Sequence, residues 1–188
     1  MAIKKIGVVV GSLRKESFCR KVVKTLMSLA PAGFELEEVE IGNLAMYNQD
    51  FDDEGPAPAA WVAFREIVKT FDAILFVTPE YNRSVPAVLK NALDVGSRPY
   101  GHNVWAGKPA AIISVSQGGL SGFGANHHLR QSLVFLNLPT LQQPEAYIGN
   151  VAALFDDNGT LTNESTREFL QNFMKEFAVW IEKNLAKY

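Results

Sequence analysis

Three apolar runs, broken only by Ser114, constrain this chain more than any other feature: Ile6 to Val10, Ala73 to Val77 and Ala110 to Val115. A strand with one wet face alternates apolar and polar residues, whereas one covered on both faces is apolar throughout. The runs therefore predict strands of a parallel sheet with helices on either side. Phe34 to Ile41 differs, because Glu35, Glu37, Glu38 and Glu40 interrupt it, as on the wet side of an edge strand. A fifth, weaker strand is expected within Thr140–Ile148, with Pro144 at a bulge or an edge.

Between these runs the apolar period lengthens to that of a helix. Val22, Val23, Leu26, Met27 and Ala30 share one face, closed by Pro31 and Gly33. Trp61, Phe64, Ile67 and Val68 mark a second helix, and Leu129, Leu133 and Leu136 another. Val88, Leu89, Ala92 and Leu93 follow Pro86, which suits a first helical turn. The last helix should start near Thr162 and bury Phe169, Leu170, Phe173, Met174, Phe177 and Ile181. Strand–helix alternation of this kind, joined by right-handed crossovers, specifies an open, doubly wound α/β sheet. At 188 residues and 47% apolar composition, one domain over residues 1–188 is expected.

Composition narrows the function classes. Eighteen basic against 20 acidic residues leave a net charge of −2, without the basic stripe that nucleic acid binding requires. No run approaches the roughly 20 apolar residues of a membrane span. A single cysteine, Cys19, rules out an intrachain disulfide and a cysteine-rich zinc site, and fits a reducing cytoplasm. His127 and His128 are adjacent, so on a helix they point about 100° apart and cannot chelate one metal from the same face.

In doubly wound sheets, ligands bind beyond the carboxyl ends of the strands, which singles out three loops. The first, Gly11 to Phe18, carries Gly11 for a tight turn, hydroxyls at Ser12 and Ser17, and the forked cation of Arg14. With the following helix N-terminus these are the parts of a phosphate cradle, although a solvated turn would read the same way. Neither G-x-x-x-x-G-K-[ST] nor G-x-G-x-x-G is present, so a mononucleotide phosphate is favoured over ATP or a dinucleotide. Cys19 follows at once, where a helix dipole would lower its pKa, but a packing role outweighs a redox one.

The second loop lies between Pro79 and Pro86, which restrict its backbone. Tyr81 offers a flat face and Asn82 offers polar edges, a combination suited to a planar heterocycle; the alternative is that Tyr81 merely covers the core. The third, Ser116 to Gly124, holds four glycines, whose main-chain N–H groups can approach a ligand closely. Its near match to the G-x-S-x-G elbow around Ser121 fails at Phe123, and no triad partners follow.

Together, Gly11-Ser12-Leu13-Arg14-Lys15-x-Ser17-Phe18 and Pro79-Glu80-Tyr81-Asn82-x-Ser84-Val85-Pro86-x-x-Leu89-Lys90-Asn91-Ala92-x-Asp94 resemble the NAD(P)H-dependent FMN reductases. The group most resembled is that of the bacterial quinone and chromate reductases. The resemblance implies a flavodoxin-like three-layer sandwich, with a five-stranded parallel sheet ordered 2-1-3-4-5 and noncovalent FMN. It places Ser12, Arg14, Ser17, Phe18 and Cys19 around the phosphate. Pro79, Glu80, Tyr81, Asn82 and Arg83 would lie along the isoalloxazine, with Ser116 and Gly118 near its other edge.

Two residues depart from the pattern: Cys19 where Asn is frequent, and Arg83 where an aromatic or small residue is common. The implied chemistry is ping-pong hydride transfer from NAD(P)H through flavin N5 to a quinone, chromate, an azo compound or free flavin. It requires no side-chain acid or base and no metal. Glycine-loop amides near Gly118 and Gly119 would face negative charge at the flavin's pyrimidine end, and Arg98 is a candidate rim cation. A homo-oligomer, dimer or tetramer, is implied as well. The competing reading is an FMN-binding electron carrier of flavodoxin type without NAD(P)H turnover. Such carriers are usually strongly acidic, whereas this chain is nearly neutral.

Overall fold

The computed structural model describes residues 3–186. Its strands are β1 (Lys4–Val10), β2 (Phe34–Val39), β3 (Ala73–Pro79), β4 (Ala110–Val115) and β5 (Ala146–Ile148). The helices are α1 (Phe18–Ser28), α2 (Asp50–Asp53), α3 (Ala59–Lys69), α4 (Ala87–Gly96), α5 (Phe123–Phe135) and α6 (Glu164–Leu185). All strand pairs are parallel and the order is β2-β1-β3-β4-β5, as the resemblance implied.

The pleat sorts the buried runs into two cores. Val8, Leu75 and Ile113 face one side, where α1 and α6 supply Val22, Leu26, Phe173, Phe177 and Ile181. Val9, Phe76 and Ile112 face the other, against Trp61, Phe64, Leu89, Leu93, Leu129 and Leu133 of α3, α4 and α5. Continuous apolar runs are thus the necessary sequence for the three inner strands. On β2 the glutamates Glu35, Glu37 and Glu38 are exposed, as expected at an edge, and so is Glu40 just beyond it.

Some expectations need correction. In α3, Ile67 is exposed while Arg65 is buried. Met27 is also exposed, and Phe169 of α6 is only partly buried. The fifth strand is shorter than the segment that suggested it. Pro144 lies ahead of it in the chain, and Thr140 makes an isolated bridge to Ala110. The start of α6 follows the cap chemistry, with Asn163 Oδ1 accepting from the Thr166 N–H at 2.9 Å.

Candidate active site

The carboxyl ends of β1, β3 and β4 open into one cleft. The first loop and the start of α1 line it with Ser12, Arg14, Ser17, Phe18 and Cys19. Pro79, Glu80 and Tyr81 come from the end of β3, and Ser116 from the end of β4. Asn82, Arg83 and Gly118 are not among the lining residues; the first two occupy the tip of the second loop. Gln117 and Val151 line the cleft although the sequence reading did not single them out. Gln117 sits inside the glycine loop and was open to notice as its one long polar side chain. Val151 arrives because its N–H donates to the Ser116 carbonyl at 3.1 Å, a long-range pairing with no local signal.

Gly11 lets the first loop press against β3: a Cβ there would stand 3.0 Å from Thr78 Oγ1 and 3.1 Å from the Pro79 ring. The chain then turns into α1 through Ser17, which occupies the N-cap position in an extended conformation. A serine there ordinarily accepts a hydrogen bond from the first helical turn. Ser17 does not: its side chain makes no cap bond, and its hydroxyl is buried with no hydrogen-bond partner. An unpaired buried hydroxyl costs about 1–3 kcal/mol, so its natural partner is a ligand. Unspent first-turn amides, a free hydroxyl and the nearby Arg14 cation together suit a phosphate monoester.

Burial pushes the Cys19 thiol up to about 12, against the weaker opposing effect of the Arg14 charge. Desolvation of the thiolate outweighs the helix dipole, and the side chain packs in the core as expected of it. We expect Cys19 in the native protein to react with a disulfide reagent at pH 8 far more slowly than the same thiol after unfolding. Equal rates would place it at the surface.

The second loop closes as a tight turn. Tyr81 and Ser84 exchange main-chain hydrogen bonds at 2.9 and 3.0 Å, while Asn82 and Arg83 take φ values of 51° and 65°. In the third loop, the Gly118 N–H donates to Ser116 Oγ at 3.1 Å, so it is already committed. The Ser121 hydroxyl donates to the Gly119 carbonyl at 3.1 Å, which is loop geometry rather than a nucleophile beside a base. The two histidines have separate partners: His127 Nε2 lies 3.0 Å from the Tyr147 hydroxyl, and His128 Nδ1 lies 2.9 Å from Ser84 Oγ. Arg98 follows the carboxyl end of α4, which starts beside the cleft and runs away from it. Its neighbours include Tyr47, Asp52 and Tyr100, so within this chain it is no rim cation.

A three-layer sandwich with an anion-ready turn at its crest, flanked by an aromatic-bearing loop and a glycine loop, defines a flavodoxin-like mononucleotide-binding protein. Residues 4–153 match the model of the NADPH-dependent FMN reductase family, and the chain belongs to that family. It is 60% identical to a quinone reductase of Pseudomonas putida over 181 residues, covering 96% of each chain. It is 47% identical to a 2-hydroxy-1,4-benzoquinone reductase of Burkholderia sp., covering 94% of this chain and 96% of the relative.

Among solved structures, the flavoenzyme NAD(P)H:(acceptor) oxidoreductase FerB of Paracoccus denitrificans superposes with a TM-score of 0.90 at 41% identity. That superposition covers 97% of this chain and 99% of FerB. A flavodoxin variant from Pseudomonas aeruginosa, at a TM-score of 0.56 and 19% identity, shares the fold alone. The protein is an FMN-dependent oxidoreductase that uses NAD(P)H.

Proposed function

We propose that this flavoenzyme reduces quinones at the crest cleft, with FMN held there noncovalently. The observation that carries the placement is the buried, unpartnered Ser17 hydroxyl at the uncapped start of α1. Ser12, Arg14 and Ser17, with the amides of Phe18 and Cys19, hold the phosphate. The segment Pro79–Arg83 flanks the ring system on one side, and Ser116 with the glycine loop flanks it on the other. Because the Gly118 N–H is spent on Ser116, the amides of its neighbours Gln117 and Gly119 are assigned the donor role.

When bound, FMN supplies two-electron hydride chemistry between NAD(P)H and an acceptor. The chain contributes binding and orientation, and we assign no side chain as acid or base. Tyr81, half exposed at the mouth, offers an apolar edge to an aromatic acceptor. Quinones are favoured as acceptors by the names of the relatives at 60% and 47% identity. Chromate, azo compounds and free flavin would be reduced through the same open face.

We read residues 1–188 as one FMN-binding domain, because α6 completes the same core as α1 and β1. A homo-oligomer fits the outer face of α5, where Val134 and Phe135 are left almost bare beside the groove against α4. Among the described residues no helix is long and apolar enough to cross a membrane. The lone reduced cysteine supports the cytoplasm as the site of action.

The test is anaerobic stopped flow. NADPH or NADH should bleach the flavin absorbance of the FMN-loaded protein, and benzoquinone should restore it after the nicotinamide product has left. Initial rates should give the parallel double-reciprocal lines of ping-pong kinetics. Absence of bleaching by either donor would assign the chain to the electron carriers instead.

A further inference from the structure

The α5 helix has no side chain of its own with which to cap its start. Its N-cap is Gly122, at φ 74°, and the glycine loop before it supplies no capping bond. The cap comes from across the cleft. Glu80, at the end of β3, accepts a hydrogen bond from the Ala125 N–H at 3.1 Å through Oε2. Ala125 is the third helical residue, the position a local N-cap side chain would serve. A carboxylate there is also favoured by the positive end of the helix dipole.

Two further contacts join the same pieces. Ser84 Oγ and His128 Nδ1 share a hydrogen bond of 2.9 Å, tying the far side of the turn to the second turn of α5. Gly124 packs so closely that a Cβ would stand 2.7 Å from the Arg83 carbonyl oxygen and 3.0 Å from Glu80 Oε2. Between these anchors the turn holds Asn82 and Arg83 at positive φ. For Arg83 especially this is an unfavourable region, which surrounding contacts must enforce. Glu80 Oε1 lies 3.7 Å from the Arg83 guanidinium, so the same carboxylate holds both ends of the arrangement.

We propose that Glu80 is a positioning residue: by capping α5 from the β3–α4 turn, it locks the two walls of the ring slot into one body. The aromatic-bearing turn and the glycine loop then cannot move apart independently, and the slot keeps a fixed width and orientation. This rests on the placement of FMN in the cleft and deepens it, since Glu80 acts on the slot walls rather than on the flavin.

The experiment has two arms. Amide hydrogen exchange is measured on ligand-free wild type, Glu80→Ala, Glu80→Gln and Gly124→Ala. The clamp predicts exchange about tenfold faster in Glu80→Ala at Ala125 and, together with it, at Tyr81 and Ser84 on the other wall. Glu80→Gln, which keeps a carbonyl acceptor, should restore most of the protection, whereas Gly124→Ala should mimic the loss. Faster exchange confined to Ala125 would reduce Glu80 to a local cap and overturn the proposal.

The second arm adds FMN and records visible circular dichroism and steady-state kinetics. Loaded with FMN, Glu80→Ala should lose the induced flavin signal and show a raised KM for NADPH. A wild-type spectrum and KM would overturn the clamp's role at the slot. Failure of wild type to bind FMN at all would instead sink the cofactor placement, leaving the exchange arm to decide the coupling of the two walls.

Discussion

Asp52→Ala is expected to destabilise the protein by about 3–5 kcal/mol, seen as a lower denaturant midpoint with an unchanged slope. The carboxylate of Asp52 receives both terminal nitrogens of Arg65, at 2.7 and 2.8 Å. The third donor of that guanidinium, Nε, goes to the Val95 carbonyl at 2.9 Å. Only 10% of the Arg65 side chain and 4% of the Asp52 side chain reach solvent. Removing the carboxylate strands a desolvated cation with two unpaired donors, which costs far more than the pair itself contributes. The double variant Arg65→Met, Asp52→Leu should therefore recover most of the loss. A loss below about 0.5 kcal/mol in Asp52→Ala would mean that water reaches the pair. The ion pair lies on the flank of α3 and α4, away from the cleft, so FMN affinity of the folded variant should stay at the wild-type value.

The same ion pair shows where sequence periodicity runs out. The three inner strands are legible because burial on both faces favours apolar residues along most of their length, with Thr78 and Ser114 the buried exceptions. On α3 the apolar spacing put Ile67 inside with Trp61, Phe64 and Val68. The structure buries Arg65 in its place, its guanidinium 5.4 Å from the Trp61 ring centroid. An arginine goes inside only when a carboxylate meets it, and Asp52 belongs to the short α2, which carries no apolar stripe to announce it. The short β5 blurred for a related reason: it is a three-residue strand, too brief to show any period.

At the site, a turn glycine, hydroxyls and a forked cation in the first loop and an aromatic between two prolines in the second point to the cleft, although a solvated turn or a core cover would use the same residue types. What residue type cannot show is which donors are already spent. By residue type Gly118 is a reasonable amide donor, but its N–H is taken by the Ser116 hydroxyl oxygen. Glu80 read as a cleft residue, and it is one, but its carboxylate is turned toward Ala125, a partner 45 positions away. Cys19 is buried as its packing role predicts, and that burial raises the thiol pKa although a helix N-terminus alone would lower it.

Ser17→Asp should separate fold from function more sharply than any truncation. Aspartate is as good an N-cap as serine, and its negative charge suits the start of α1 by about 0.3–1 kcal/mol. Ligand-free Ser17→Asp should thus melt at or above the wild-type temperature. The new carboxylate takes the amides that would otherwise meet the phosphate, and it repels what it displaces. Like charges about 4 Å apart cost roughly 4 kcal/mol at an effective dielectric near 20. FMN affinity should fall by more than about 300-fold, beyond the loss of about 1.5–3 kcal/mol expected for Arg14→Ala, which removes a single charged contact. Riboflavin is the control, for it carries the ring system without the phosphate. Wild type should bind it more weakly than FMN, and Ser17→Asp should bind it as wild type does. Equal losses for riboflavin and FMN would mean that the substitution deforms the whole cleft, and unchanged FMN affinity would move the phosphate elsewhere.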